Sequence, residues 1–386
     1  MGGSEITNLE VSKFSREEQQ NKIREELAIQ SYNTFKTNIA LWLPTGTGKS
    51  AIALKCCKQV KNPEVLIVVE KLIHKKNWLK EIEDFNNEVV PTFVHYESLS
   101  TIKNEFDFII YDEADSLVTD NRLQNAIKIK GRIIFLSATI NPFKLKTLKK
   151  IFRFDEIRVD LGEAIKKKLL PKPIIKLYPI VLSDEECIFI QGNNKSKKTI
   201  DVSFKERFNK KYNLRIKCTQ KEYYQLLMEK YLYFQSLSKK PNQAFMFNKY
   251  IKQGLDIKKW LDSLKMPVIR ELFKIPGRKL LFLPSIEDTI EFGNSINSNN
   301  KDIINDDLVE KFNKSEISYI SSVGMLIRAM NLYNVEHSII GTYTEDGSML
   351  EQMFGRSLRY ELPTIHIPYI KGTKDEEKLR RNLEKL

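Results

Sequence analysis

Leu41-Trp42-Leu43-Pro44-Thr45-Gly46-Thr47-Gly48-Lys49-Ser50 is the stretch on which the reading of this chain turns. A short apolar run, Asn38 to Leu43, enters a glycine-bearing loop, and Ala51 to Val60 leaves it with helical character. In Pro44 to Ser50 the glycines let backbone N–H groups turn inward around a phosphate, and the following helix adds the positive end of its dipole. Lys49 is placed to supply a point charge for β- and γ-phosphates, and the Ser50 hydroxyl is expected to bind Mg²⁺. The strict phosphate-loop pattern has glycine at position 43, where this chain has Leu43.

Downstream, Phe108-Ile109-Ile110-Tyr111 reads as a buried strand ending in Asp112-Glu113-Ala114-Asp115. At the carboxyl edge of a sheet Asp112 is expected to bind the metal, and Glu113 to orient and deprotonate an attacking water. Ser137-Ala138-Thr139 follows another apolar strand, Arg132 to Leu136, where small hydroxyl groups are expected to hydrogen-bond Asp112 or Glu113 and sense the γ-phosphate. Near the far end stands Gln352-Met353-Phe354-Gly355-Arg356-Ser357-Leu358-Arg359, in which Arg356 and Arg359 have the spacing of one helix face. Guanidinium groups there neutralise charge developing on a phosphate. The segments together describe an ATP-hydrolysis site built in two halves.

The surrounding pattern is α/β. Strands at Glu64 to Val69 and Val89 to Val94, with a helix from Ile73 to Phe85, predict a parallel sheet flanked by helices that closes near residue 160. A second series, Lys279 to Leu283, Ile317 to Ser321, Ser338 to Tyr343 and Thr364 to Tyr369, predicts a second parallel sheet, to which Pro173 to Leu182 adds a strand. The expected organisation is a first α/β domain over 1–160, a linker and first strand over 161–182, a basic, largely helical insertion over 183–264, and a second α/β domain over 265–386. In the insertion Lys195, Lys197, Lys198, Lys210, Lys211 and Arg215 are candidate nucleic-acid contacts. Tyr223, Tyr224, Tyr231, Tyr233 and Phe234 keep a helical register, either stacking on exposed bases or filling the helix core.

With 386 residues, 41% of them hydrophobic, the chain supports ordinary cores, and its net charge of +13 attracts a polyanion. No apolar run approaches the roughly 20 residues of a membrane span and the N-terminus lacks a signal-peptide pattern, so a cytoplasmic protein is expected. Cys56, Cys57, Cys187 and Cys218 form no C-x-x-C pair, which predicts buried free thiols and no structural metal.

In this order, Gln19, Pro44 to Ser50, Asp112 to Asp115, Ser137 to Thr139 and Gln352 to Arg359 resemble the motifs of superfamily 2 helicases and translocases. The resemblance implies two RecA-like domains with ATP in the cleft between them and a nucleic acid strand across both. It implies Gln19 near the adenine, Lys49 and Ser50 on phosphates and Mg²⁺, Asp112, Glu113 and Gln352 in the catalytic set, and Arg356 and Arg359 as arginine fingers. Although the tetrapeptide spells D-E-A-D, the P-T-R-E-L-A and T-P-G-R segments of DEAD-box RNA helicases are missing. Val65 to Val69, Leu72 and Asn77-Trp78-Leu79-Lys80-Glu81-Ile82 are instead similar to remodeller-type and phage branch-migration DNA translocases, and His95-Tyr96-Glu97-Ser98-Leu99 fits their T/H-Y-E-x-L motif. Arg328-Ala329-Met330-Asn331-Leu332 has alanine where relatives have glycine, but keeps Asn331, which with Ser137 and Thr139 would couple hydrolysis to movement. The expectation is an ATP-dependent, DNA-directed helicase or translocase acting as a monomer. An RNA helicase and a catalytically inactive nucleic-acid-binding relative are the alternatives.

Overall fold

The computed structural model describes residues 25–26, 38–58, 60–70, 73–191, 199–201, 214–240, 245–323, 332–343, 348–358 and 360–384. Its first sheet is built from β1 (Ile39–Trp42), β2 (Glu64–Val69), β3 (Val90–His95), β4 (Phe108–Asp112), β5 (Arg132–Ser137) and β6 (Asp155–Arg158). They lie in the order β3-β2-β4-β5-β1-β6, every pair parallel. The helices of this lobe are α1 (Lys49–Cys57), α2 (Ile73–Phe85), α3 (Asp120–Ala126), α4 (Pro142–Ile151) and α5 (Leu161–Lys166). Ile39 to Trp42 and Val65 to Val69 are buried without interruption, the pattern of parallel strands covered on both faces. Because β4, β5 and β1 are neighbours, their carboxyl ends bring Asp112, Ser137 and the Pro44 loop side by side.

One face of this sheet is held by stacked rings. Tyr96 lies 6.2 Å from Tyr111, Tyr111 lies 5.6 Å from Phe135, and Phe135 meets Phe152 and Phe154 at 5.5 and 5.2 Å. The stack carries a polar tip, since the Tyr96 hydroxyl donates to the Asp112 carbonyl at 2.8 Å. The end of β4 is therefore fixed by core packing as well as by its ladder.

After β7 (Ile174–Ile180) come β8 (Cys187–Gln191), β9 (Thr199–Asp201), β10 (Leu214–Cys218) and two long helices, α6 (Gln220–Ser238) and α7 (Phe245–Phe273). The second α/β lobe continues with β11 (Lys279–Leu283), α8 (Ile286–Phe292), β12 (Ser295–Ile296), α9 (Asp302–Asn313), β13 (Tyr319–Val323), β14 (His337–Ile340), α10 (Ser348–Ser357), β15 (Thr364–Ile370) and α11 (Lys374–Leu383). Its sheet has the order β12-β13-β11-β14-β15-β7. Two six-stranded sheets with flanking helices are thus arranged in tandem along the chain, the architecture of paired RecA-like domains.

The intervening segment is not wholly helical: β8, β10 and β9 form a separate three-stranded sheet. Cys187, on the outer strand β8, is exposed, which corrects the expectation that all four thiols are buried; Cys56, Cys57 and Cys218 are. Lys195, Lys197, Lys198, Lys210 and Lys211 lie outside the described residues, as does the side chain of Arg215, whose backbone pairs with Ile190 and Thr199. The tyrosines divide. Tyr223 and Tyr224 pack on Trp260 at 5.2 and 6.4 Å and Tyr231 on Tyr250 at 4.8 Å, filling the interface between α6 and α7, whereas Tyr233 is exposed.

Two compact units are present, one holding the described residues up to Lys176, Pro276–Ile365 and those from Asn382, the other Leu177–Ile275 with His366–Arg381. In the second unit Lys265 is 0% exposed and its ammonium donates to Asp262 at 3.0 Å and Asp375 at 2.8 Å. The second Asp375 oxygen accepts from the Ile370 N–H at 3.0 Å, so the triad ties α7 to the turn before α11. No described helix is long and apolar enough to cross a membrane. Lys265→Met keeps volume but removes the cation from buried Asp375, while Asp262 keeps Lys258 at 2.6 Å, and is expected to destabilise this unit by about 3–5 kcal/mol in chemical denaturation; a loss below about 1 kcal/mol would show that the triad is not desolvated.

Candidate active site

The phosphate loop begins where β1 ends. Leu43 donates its N–H to the Ser137 carbonyl at 3.1 Å and is fully buried, so the position that a strict motif gives to glycine is here a core residue. The turn itself needs glycine at two positions: Gly46 has φ 90° and Gly48 φ 88°. A side chain there would be strained, and the left-handed backbone at Gly48 is what delivers the chain into α1. Thr47 closes the loop, its hydroxyl donating to the Pro44 carbonyl at 2.8 Å. Lys49 is held inside the same turn, its ammonium donating to the Leu43 and Pro44 carbonyls at 3.0 and 3.4 Å. A glycine turn closed in this way, with an ammonium inside it, has the chemistry to suit an anion.

Asp112 is the last residue of β4, and one carboxylate oxygen accepts from the Trp78 indole N–H at 3.0 Å. Trp78 reads in sequence as an apolar residue of α2; its role as an orienting donor was not visible from periodicity. Glu113 follows with φ 51° and ψ 59°, a left-handed conformation that costs a non-glycine residue of order 1 kcal/mol or more. Its oxygen stands 3.5 Å from the Ser137 hydroxyl, which makes a shorter bond, 2.7 Å, to the Thr139 carbonyl. Asp115 is held by Lys144, which donates to its carbonyl at 2.8 Å and its carboxylate at 3.3 Å.

The second lobe contributes α10. Gly355 packs so closely on the phosphate loop that a Cβ built on it would fall 2.8 Å from the Thr45 Cβ and 3.1 Å from the Thr45 carbonyl oxygen. Arg356, the next residue, is 8% exposed. Burial raises the pKa of Glu113 above its ordinary value; the Lys49 ammonium opposes that rise, Asp112 adds to it, Arg356 opposes it and Asp115 adds to it. One carboxylate therefore feels cations from both lobes. Ser357 anchors the helix, donating to the Met353 carbonyl at 2.9 Å and meeting the Ser338 hydroxyl at 2.6 Å. As described, α10 ends at Ser357, two residues before Arg359. Gln19, Asn331 and Arg359 lie outside the described residues, as does the side chain of Gln352. Among the described residues no group of three or more His, Cys, Asp or Glu forms a metal cluster.

Comparison with known proteins agrees with this architecture. Residues 13–97 match the family model described as type III restriction enzyme, res subunit. No curated protein matches the sequence. Among solved structures, a variant of S. cerevisiae Dbp5 bound to RNA and ADP BeF3 superposes with TM-score 0.55 at 11% identity, covering 94% of this chain and 87% of that one. S. cerevisiae Dbp5 itself, bound to RNA and ADP BeF3, gives 0.52 at 10% identity, with 90% and 83% covered. The Pyrococcus furiosus Hef helicase domain gives 0.46 at 12% identity, with 94% and 97% covered. At such identities the likeness to Dbp5 is one of fold. The fold is that of tandem RecA-like domains, as in the Dbp5 structures, and the family-model match falls in the first of the two lobes.

The raised Glu113 pKa has a stability consequence. A carboxyl that binds its proton more tightly when folded makes the native state lose stability as pH rises from the usual carboxylate range through the raised value. Glu113→Gln is therefore expected to raise Tm near neutral pH and to lose that advantage below the usual carboxylate range, where both states are protonated. A lower Tm for the variant near neutral pH would mean that Lys49 and Arg356 overcome the cost of burial.

Proposed function

We propose that the chain is a nucleic-acid-dependent ATPase that moves along DNA, unwinding, annealing or remodelling branched structures. The observation that carries the reading is the meeting of both lobes at one point: Gly355 against Thr45, with Arg356 and Lys49 acting on Glu113. A hydrolysis site divided in this way is coupled to the relative position of the lobes, which is what a motor needs.

ATP is the substrate that fits. The N–H groups of the loop and of the first turn of α1 suit its phosphates, and Lys49 exchanges two carbonyls for phosphate oxygens without moving its backbone. Ser50 and Asp112 would hold Mg²⁺, which would neutralise phosphate charge. Trp78 keeps one Asp112 oxygen engaged and so fixes the direction of the other. Glu113, in its strained turn, accepts the proton of the attacking water, and its raised pKa makes it a better base than a solvated carboxylate. Arg356 stabilises charge on the transferred phosphoryl group; Arg359 and Gln352 would join it and Gln19 would recognise adenine. Ser137, bonded between Glu113 and the Thr139 carbonyl, is suited to reporting the state of the base to the chain beyond β5, and Asn331 would complete that coupling.

DNA is favoured over RNA because the Asn77-Trp78 and His95-Tyr96 segments, which resemble those of DNA translocases, both end on Asp112. ATP hydrolysis measured against single-stranded, duplex, forked and four-way DNA and against single-stranded RNA tests this. Greatest stimulation by RNA would make the chain an RNA helicase.

Lys49→Ala is expected to abolish turnover in a folded protein. Glu113→Gln is expected to bind ATP without hydrolysing it. Arg356→Ala should lower kcat by about 10³-fold while nucleotide affinity changes little. An Arg356→Ala enzyme with normal kcat and weakened binding would make Arg356 a ground-state ligand.

A further inference from the structure

The hairpin of α6 and α7 ends in a stretch of one-sided charge. From Lys230 to Leu255 the chain has five lysines (Lys230, Lys239, Lys240, Lys249, Lys252), six aromatic residues and no Asp or Glu. The fold sorts the rings into two sets. Tyr231 and Tyr250 face inward, their hydroxyls 2.7 Å apart, with Gln235 donating to Tyr250 at 3.3 Å and Gly254 leaving room for the Tyr231 ring. This inner pair fastens the two helices.

The outer set faces water: Phe245 is 60% exposed, Phe247 53% and Tyr233 46%. Each rests on a neighbour, Phe247 on Tyr250 at 6.1 Å and Tyr233 on Phe234 at 5.6 Å, and the Lys249 ammonium lies 5.9 Å from Phe245 and 6.0 Å from Phe234. Lys239, Lys240 and Lys252 are exposed beside them. The rings are held in place but not covered.

We propose that this hairpin tip is a contact for single-stranded nucleic acid, separate from the ATP site, in which Phe245, Phe247 and Tyr233 stack on unpaired bases and Lys239, Lys240, Lys249 and Lys252 meet phosphates. It rests on the nucleic-acid-directed reading above and names a site for it. Aromatic faces accept any base, and lysine is a point charge that asks little of phosphate geometry. The absence of carboxylates leaves the tip without repulsion toward a polyanion. Protein interfaces are depleted in lysine at their centres, so rings interleaved with lysines fit a nucleic acid better than a protein partner.

The test uses the full chain with labelled DNA and RNA single strands of one sequence, the same DNA strand with an abasic centre, and a blunt duplex. Phe245→Ala combined with Phe247→Ala is expected to weaken binding of the intact single strands by about tenfold or more, with the abasic strand and the duplex unaffected. Lys239→Gln, Lys240→Gln and Lys249→Gln together should lower the slope of log K against log salt for single strands by about 2. Both variants should keep the wild-type thermal transition and nucleic-acid-free ATP hydrolysis. The difference between the DNA and RNA arms identifies which strand the tip accepts. Unchanged single-strand affinity in the phenylalanine pair overturns the proposal, as does an equal loss on the abasic strand. Loss of self-association in that pair, with strand affinity intact, overturns it in favour of a second copy. Wild-type ATPase that no nucleic acid stimulates would defeat the functional reading instead, because the tip is judged on binding alone.

Discussion

Thr45 and Gly355 touch where no side chain fits. The Cβ that any other residue would bring to position 355 falls 2.8 Å from the Thr45 Cβ, a distance that real Cβ contacts do not adopt. This contact sets the height of α10 over the phosphate loop, and Arg356 follows one residue later. The carbonyl of Gly355 faces Gly46 in turn, 3.4 Å from where a Cβ there would stand. Two glycine-bearing turns of backbone, far apart in sequence, are thus the hinge point of the proposed catalytic arrangement. The role proposed for Arg356 depends on that contact.

Around this point the first lobe is over-determined. Asp112 is held through its carbonyl by Tyr96 and through its carboxylate by Trp78, and the Tyr96 ring belongs to a stack that reaches Phe135 and Phe154. Packing energy of the core thereby maintains the left-handed turn at Glu113, which local preference alone would relax. Strain and desolvation fall on the same residue, a combination that marks Glu113 as a candidate functional carboxylate.

Much of this was legible in the sequence where apolar runs are continuous. β2 and α2 span Glu64–Val69 and Ile73–Phe85, the limits that hydrophobic pattern predicts, because the covered strand leaves an unbroken apolar run and the helix buries Trp78 and Ile82 on one face at a helical period. Three kinds of feature left none. β6, Asp155–Arg158, buries only Ile157, and β12 has two residues, so neither yields a period to read. The three-stranded sheet of β8, β9 and β10 sits in a lysine-rich segment whose composition suggests helix and loop. In the site, Leu43 departs from the motif yet supplies the carbonyl that Lys49 needs, since a backbone oxygen does not depend on its side chain. The bonds from Trp78 and Tyr96 to Asp112 join residues 34 and 16 positions apart and are set by strand order, which no local pattern encodes. The helical tyrosines left a choice between stacking and core, and exposure divides them: Tyr223 and Tyr231 serve the core, Tyr233 faces water.

The contact between Thr45 and Gly355 is tested most directly by Gly355→Ala, a single methyl placed inside it. Steady-state ATP hydrolysis and nucleotide binding of this variant would be measured beside its thermal transition. The expected result is a folded protein that binds ATP with little change and hydrolyses it at least about tenfold more slowly, as though an arginine finger had been withdrawn. Hydrolysis at the wild-type rate would show that the two lobes do not meet at Gly355 when ATP is cleaved.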